Sequence, residues 1–210
     1  MQITEPMTMV SDYLLAGVAV LLALPLLRLG RLVSHASIRL WGFALLATAA
    51  GAAAGGSSHG FSLYLGTAGQ AVAWKLTVYS IGLASLLMVA GSTIATVPRW
   101  LRQWLITIAV IQFAVYAVWM LTHDEFIYVI YDYVPSMIGL VALHTYSWYS
   151  HRDTAAPWII AGVAVSFAAA GIQQSGWSLH EHFNYNDIYH LVQIVALFLF
   201  YTGARSLREP

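Results

Sequence analysis

The stretch His180-Glu181-His182-Phe183-Asn184-Tyr185-Asn186-Asp187-Ile188-Tyr189-His190 runs without a break into Leu191-Val192-Gln193-Ile194-Val195-Ala196-Leu197-Phe198-Leu199-Phe200-Tyr201. The second half reads as the body of a membrane-spanning helix. The first half sets three histidines and two carboxylates at its mouth. Ionisable groups at the edge of a membrane span are costly there and are read first as functional. Composition supports the membrane assignment: of 210 residues, 60% are hydrophobic and 9% charged. Soluble domains carry about 25% charged residues, so this chain lacks the polar surface to stay dissolved in water.

A helix needs about 20 apolar residues to cross the hydrocarbon layer. Seven runs meet that length, at roughly 12–34, 37–58, 69–96, 100–121, 125–149, 156–176 and 186–204. Lipid offers no partner for open sheet edges, so the runs are helices. The expectation is an all-α polytopic membrane protein, a single seven-helix bundle spanning residues 1–210. Pro25, Pro135 and Pro157 mark kinks or helix starts. The segment Gly51-Ala52-Ala53-Ala54-Gly55-Gly56 of the second run would let a neighbouring helix approach closely.

The basic residues orient the bundle. Arg28, Arg31 and Arg39 surround the first connection; Arg99 and Arg102 lie at the third, Arg152 at the fifth, and Arg205 and Arg208 after the last span. The alternate segments carry Glu5 and Asp12, then Asp124 and Glu125, then Glu181 and Asp187. The positive-inside rule then puts the N-terminus outside and the C-terminus in the cytoplasm. Trp100, Trp104, Trp148 and Trp158 fit an inner-face aromatic belt. The first residues lack a basic stretch, so no cleaved signal peptide is expected. A bacterial cytoplasmic membrane is the expected location, with the candidate site near its outer face.

Several chemistries are excluded. There is no cysteine, which removes disulfides, thiolate catalysis and cysteine-ligated metal. The seventh run has no lysine for a retinal Schiff base, and no phosphate-binding loop or Gly-x-Ser-x-Gly elbow occurs. Net charge is zero, giving no signal for nucleic acid.

Topology places the remaining polar residues in depth. His59 ends the outward-running second helix and His190 opens the inward-running seventh, so both lie near the outer face, with His180 and His182 just above. Asp187 and Asn186 precede His190 by three and four residues and share its helix face. Either also serves as a capping residue that satisfies backbone N–H groups. Lys75 and Asp132 lie inside the third and fifth helices. They either pair with each other or with tyrosine hydroxyls, or border the same outer cavity, where Ser58 and Gln173 would add polar walls. His35, His144 and His151 lie toward the other end and read as structural or interfacial.

Seven helices, a histidine ending the second and a histidine near the start of the seventh resemble the CREST superfamily, which includes the alkaline ceramidases and the progestin-and-adipoQ receptors. The chain would be a divergent bacterial-type member. The resemblance implies a membrane hydrolase holding zinc on one second-helix and two seventh-helix histidines, with His59 and His190 in matching positions. Three positions depart from that pattern. The serine four residues before the second-helix histidine is Gly55, the first seventh-helix histidine is Asn186, and the third helix has no aspartate.

The leading expectation is therefore a zinc-dependent hydrolase of an amide or ester in a membrane lipid. His59, His182 and His190 would bind the metal and Asp187 would act as a substitute ligand or general base. Two alternatives stand beside it. One is a receptor or scaffold that kept the fold and lost the metal. The other is a b-type cytochrome with His59 and His190 as axial ligands of haem.

Overall fold

A computed structural model describes residues 2–180 and 183–209. It holds seven helices: α1 Pro6–Leu32, α2 Ala36–Gly60, α3 Ser62–Thr96, α4 Arg99–Trp119, α5 Ile127–His151, α6 Ala156–Ser175 and α7 Tyr185–Ala204. All seven are long and apolar enough to cross a membrane, as an integral membrane protein requires. Among the described residues there is no strand beyond one isolated bridge between His180 and Phe183.

Two boundaries differ from expectation, and one of them matters for the site. α1 starts at Pro6 rather than near residue 12. Proline suits the first helical turn because its missing N–H would have no partner there anyway. Ser11 and Asp12 therefore lie inside the helix and not at its mouth. α3 starts at Ser62, seven residues early, and bends at Gly66, whose φ of 61° favours glycine. α1 and α5 continue through Pro25 and Pro135, whereas Pro157 stands at the start of α6.

α2 is the central post, packed between α1 and α3, and α7 closes the bundle against α1 and α6. The small residues of α2 permit this. A Cβ on Gly56 would stand 2.9 Å from the Asp12 Cβ, and one on Gly51 would stand 3.2 Å from the Ser80 Cβ. The core runs along these helices through Leu26, Trp41 and Leu45, all fully buried, with the Trp41 and Phe200 rings 5.4 Å apart. α4 packs loosely at the edge. Its outer residues Ile108, Val115 and Val118 are exposed, a surface suited to lipid rather than water.

Buried polar groups are tied down between helices. Tyr116 donates to the Val78 carbonyl at 2.8 Å, and His144, fully buried, bonds Ser92 at 2.9 Å. The tail beyond α7 returns to the α1–α2 turn, where Glu209 accepts the Ser37 N–H at 2.7 Å and the Leu207 carbonyl meets His35.

Candidate functional site

The start of α7 is built by its own side chains. Asn184 is the N-cap, its carbonyl oxygen accepting the Asn186 N–H at 2.8 Å. Asp187 reciprocates, its Oδ2 accepting the Asn184 N–H at 2.7 Å. This capping box satisfies two of the N–H groups that a helix start leaves open. It also holds Asp187 fully buried and sets His190 one turn deeper, facing α1.

α1 supplies what the sequence reading did not foresee. Asp12 Oδ1 lies 3.1 Å from His190 Nε2, and Ser11 Oγ lies 2.9 Å from His190 Nδ1. Ser11 also approaches Asp187 Oδ1 at 3.3 Å, closing a chain of contacts from Asp12 through the imidazole to the α7 cap. Asp12 is only 4% exposed, and its Oδ2 has no hydrogen-bond partner. A buried polar atom without a partner is costly and calls for an explanation.

The Asp12–His190 pair forms part of the wall of a cavity of about 170 Å³. His59, Gln173 and Asn186 face the same space, with Trp74, Phe126 and Ile81 among its apolar walls. His59 is anchored like His190: its Nδ1 lies 3.2 Å from Glu5 Oε2. The Asp12 carboxylate lies against Gly55, 3.4 Å from where a Cβ would stand. Gly55 is the position at which the resemblance expects a serine, and here an α1 carboxylate occupies the adjoining space.

The fold thus brings together His59, His190, Asn186 and Gln173. Asp187 stands behind His190 with both oxygens engaged. His182 lies outside the described residues. Ser58 does not line the cavity; it is buried and accepts from Gln70 at 2.5 Å. Lys75 and Asp132 do not meet and do not line it either. Lys75 binds Asp124 at 2.7 Å and the carbonyls of Met120 and His123, while Asp132 accepts from the Gln112 amide at 3.0 Å. Their expected pairing with each other or with tyrosine is replaced by these partners, because each finds one on a nearer element.

Asp12, Ser11 and Glu5 were missed because the first span was started at residue 12. Pro6 was the signal that would have extended it, since a proline six residues ahead of an aspartate puts that aspartate inside the helix.

Two donors bound 2.0–2.1 Å from a tetrahedral zinc stand about 3.3 Å apart, close to the 3.1 Å between Asp12 Oδ1 and His190 Nε2. Metal-binding histidines hold their second nitrogen on a carboxylate or other acceptor, as Glu5 and Ser11 do here. Two imidazoles and a carboxylate are a zinc donor set. Among the described residues, however, no three His, Cys, Asp or Glu side chains are drawn together closely enough to enclose an ion.

Residues 7–209 match the model of a family of unknown function, DUF6962, and the chain belongs to that family. No curated protein and no solved structure matches the chain.

Proposed function

We propose that this DUF6962 member is a membrane-embedded, zinc-dependent hydrolase of an amide or ester bond in a lipid, with Asp12, His59 and His190 as the metal-holding residues. The observation that carries the reading is the buried Asp12–His190 contact on a cavity shared with His59, each imidazole held at Nδ1 by a second side chain. The likeness to the CREST superfamily belongs to the same proposal, with the α1 carboxylate in the place its α2 serine would fill.

When bound, zinc supplies a Lewis acid that polarises a carbonyl and makes water easier to deprotonate. The chain does the rest. Ser11 fixes the His190 ring through Nδ1, and the Asp187 cap holds Ser11 and the first turn of α7 in place. The Asp12 carboxylate, which lines the cavity, would be the acceptor for a water proton. The Asn186 and Gln173 amides are positioned to donate to the oxygen of the scissile carbonyl, and the apolar walls exclude bulk water. By the arginine distribution, the cavity opens toward the outer leaflet of a bacterial cytoplasmic membrane.

A metal-free receptor that binds a polar lipid head is the second reading. It is favoured by the partners already present on both His190 nitrogens. Haem suits the site poorly, since a porphyrin is far larger than the cavity between His59 and His190.

Metal analysis of the purified protein separates these readings. The hydrolase reading expects about one zinc per chain, lost in Asp12→Asn and in His59→Gln while the helical content holds. Wild-type protein that takes up no zinc, even when supplied with it during purification, sinks the hydrolase and leaves the receptor.

A further inference from the structure

The opposite end of the bundle holds a second cavity, of about 280 Å³, that the proposed hydrolase does not use. It is walled by the ends of α3 and α5, the α5–α6 turn and the tail beyond α7. We propose that it is a binding site for a phosphate group, gripped by Arg152 and Arg208.

The argument rests on which of its polar groups are already committed. The acceptors and hydroxyls are largely spent on the protein. Asp153 accepts the Ala155 N–H at 2.9 Å through Oδ1 and the Ser147 hydroxyl at 3.1 Å through Oδ2. Thr96 and Ser206 donate to backbone carbonyls one turn back on their own helices. Glu209 is anchored through Oε1 on the Ser37 N–H. The donors are not spent. Among the described residues, neither the Arg152 nor the Arg208 guanidinium has a carboxylate or hydrogen-bond partner, although two carboxylates share their cavity. The Thr154 hydroxyl is equally uncommitted.

A cavity whose mouth carries two solvent-facing guanidinium forks and a hydroxyl, none of them bonded to another protein group, is complementary to an oxyanion. Arginine binds phosphate through paired N–H groups, with geometric specificity a lysine lacks. Arg152 is held in place by its backbone, at φ 55°, where its N–H caps α5 on the Trp148 carbonyl. Arg208 comes from the tail that Glu209 pins to α2, so the two cations are brought together from distant parts of the chain. The cavity is smaller than the ~300–1,000 Å³ of most sites for drug-sized ligands, a scale that suits a headgroup or an inorganic ion. It also lies at the end of the spans, the level of phospholipid headgroups.

Two sources share this chemistry, a soluble phosphate and an anionic lipid headgroup. The full-length protein in detergent is titrated with inorganic phosphate by calorimetry. In parallel it is incubated with vesicles of phosphatidylglycerol and phosphatidylcholine, and retained lipid is counted by native mass spectrometry. Saturable phosphate binding assigns a soluble ligand. Selective retention of phosphatidylglycerol without phosphate binding assigns the headgroup. In whichever arm binds, Arg152→Gln/Arg208→Gln lowers affinity or retention at least tenfold. Arg28→Gln/Arg99→Gln, which removes the same charge from equally exposed positions that do not line the cavity, changes it less than twofold. Glu209→Gln, which keeps the anchor and removes the negative charge, strengthens binding. If the double variant does not fold, Arg208→Gln, beyond the last helix, gives the deciding measurement. Binding in neither arm, or an equal loss in the Arg28/Arg99 control, overturns the proposal.

Discussion

Asp12 and Asp132 make a natural pair. Each lies inside an apolar helix, 4% and 7% exposed respectively, and each has an unusual neighbour. Asp132 is tied to a neighbouring helix through one oxygen. The Gln112 amide donates to its Oδ1, to its backbone carbonyl and to the Ser136 hydroxyl, clamping the loosely packed α4 onto α5. Asp12 shares one oxygen with an imidazole, buries the other without a partner, and lines a cavity. Burial and charge are common to both, so neither marks a site by itself. What separates them is room beside the carboxylate and the kind of partner it has. An amide ends a hydrogen-bond network, whereas an imidazole can pass a proton or bind a metal.

That contrast is open to direct tests. The largest effect is expected from His190→Ala, which strips Asp12 of its partner while leaving the carboxylate buried. Leaving a buried polar partner unsatisfied costs about 1–3 kcal/mol and the lost imidazole leaves a void besides, so the variant should melt well below wild type in detergent. A small shift would mean that Asp12 is not held as described. Gly56→Ala comes next. Its Cβ would press on the Asp12 Cβ at 2.9 Å and the Met9 carbonyl at 3.2 Å, and overpacking of this kind costs about 1–3 kcal/mol. Because the strain falls on α1 at Asp12, the hydrolase proposal expects zinc retention to fall with stability.

Gln112→Ala is the matching test on the other aspartate. Losing an amide that satisfies a buried carboxylate costs about 1–3 kcal/mol, with zinc content unchanged. Any loss of metal in this variant would erase the distinction between the two aspartates. The smallest effect belongs to Lys75→Met. Its partner Asp124 has a side chain 71% exposed, and a solvent-facing pair of this sort contributes about 0.2–1 kcal/mol. A melting shift larger than that of Gln112→Ala would show that Lys75 supports the site after all.

Much of the bundle could be read from the chain. Seven apolar runs became seven helices because each must satisfy its own backbone hydrogen bonds in lipid, which makes length and hydropathy nearly sufficient. The meeting of His59 and His190 was equally legible, since alternating spans bring the end of the second helix and the start of the seventh to one level. The glycines of α2 announced close neighbours, and α1 and α3 are packed there. Asp187 was legible as a capping residue from its place in the first turn of the seventh run. The azimuth of α1 was not. Its residues are apolar nearly all round, so no hydrophobic stripe indicates which face turns inward, and its first turn was lost to a boundary set six residues late. Asp12 was therefore counted as a loop charge. The partners of Lys75 and Asp132 were hidden because they depend on which neighbouring element packs against which, a choice that sequence spacing does not make.

The amino-acid sequence by itself determined the class of the protein and the number of its helices. Both follow from the free energy of placing side chains and backbone in hydrocarbon, a property of each segment alone. The tertiary structure decided which polar residues share a space. That depends on how helices rotate against one another, and between largely apolar helices rotation is settled by the fit of small residues such as Gly55 and Gly56 and by buried hydrogen bonds. It is this fit that sets Asp12 against His190, leaves Asp132 to Gln112, and gathers Arg152 and Arg208 around one cavity.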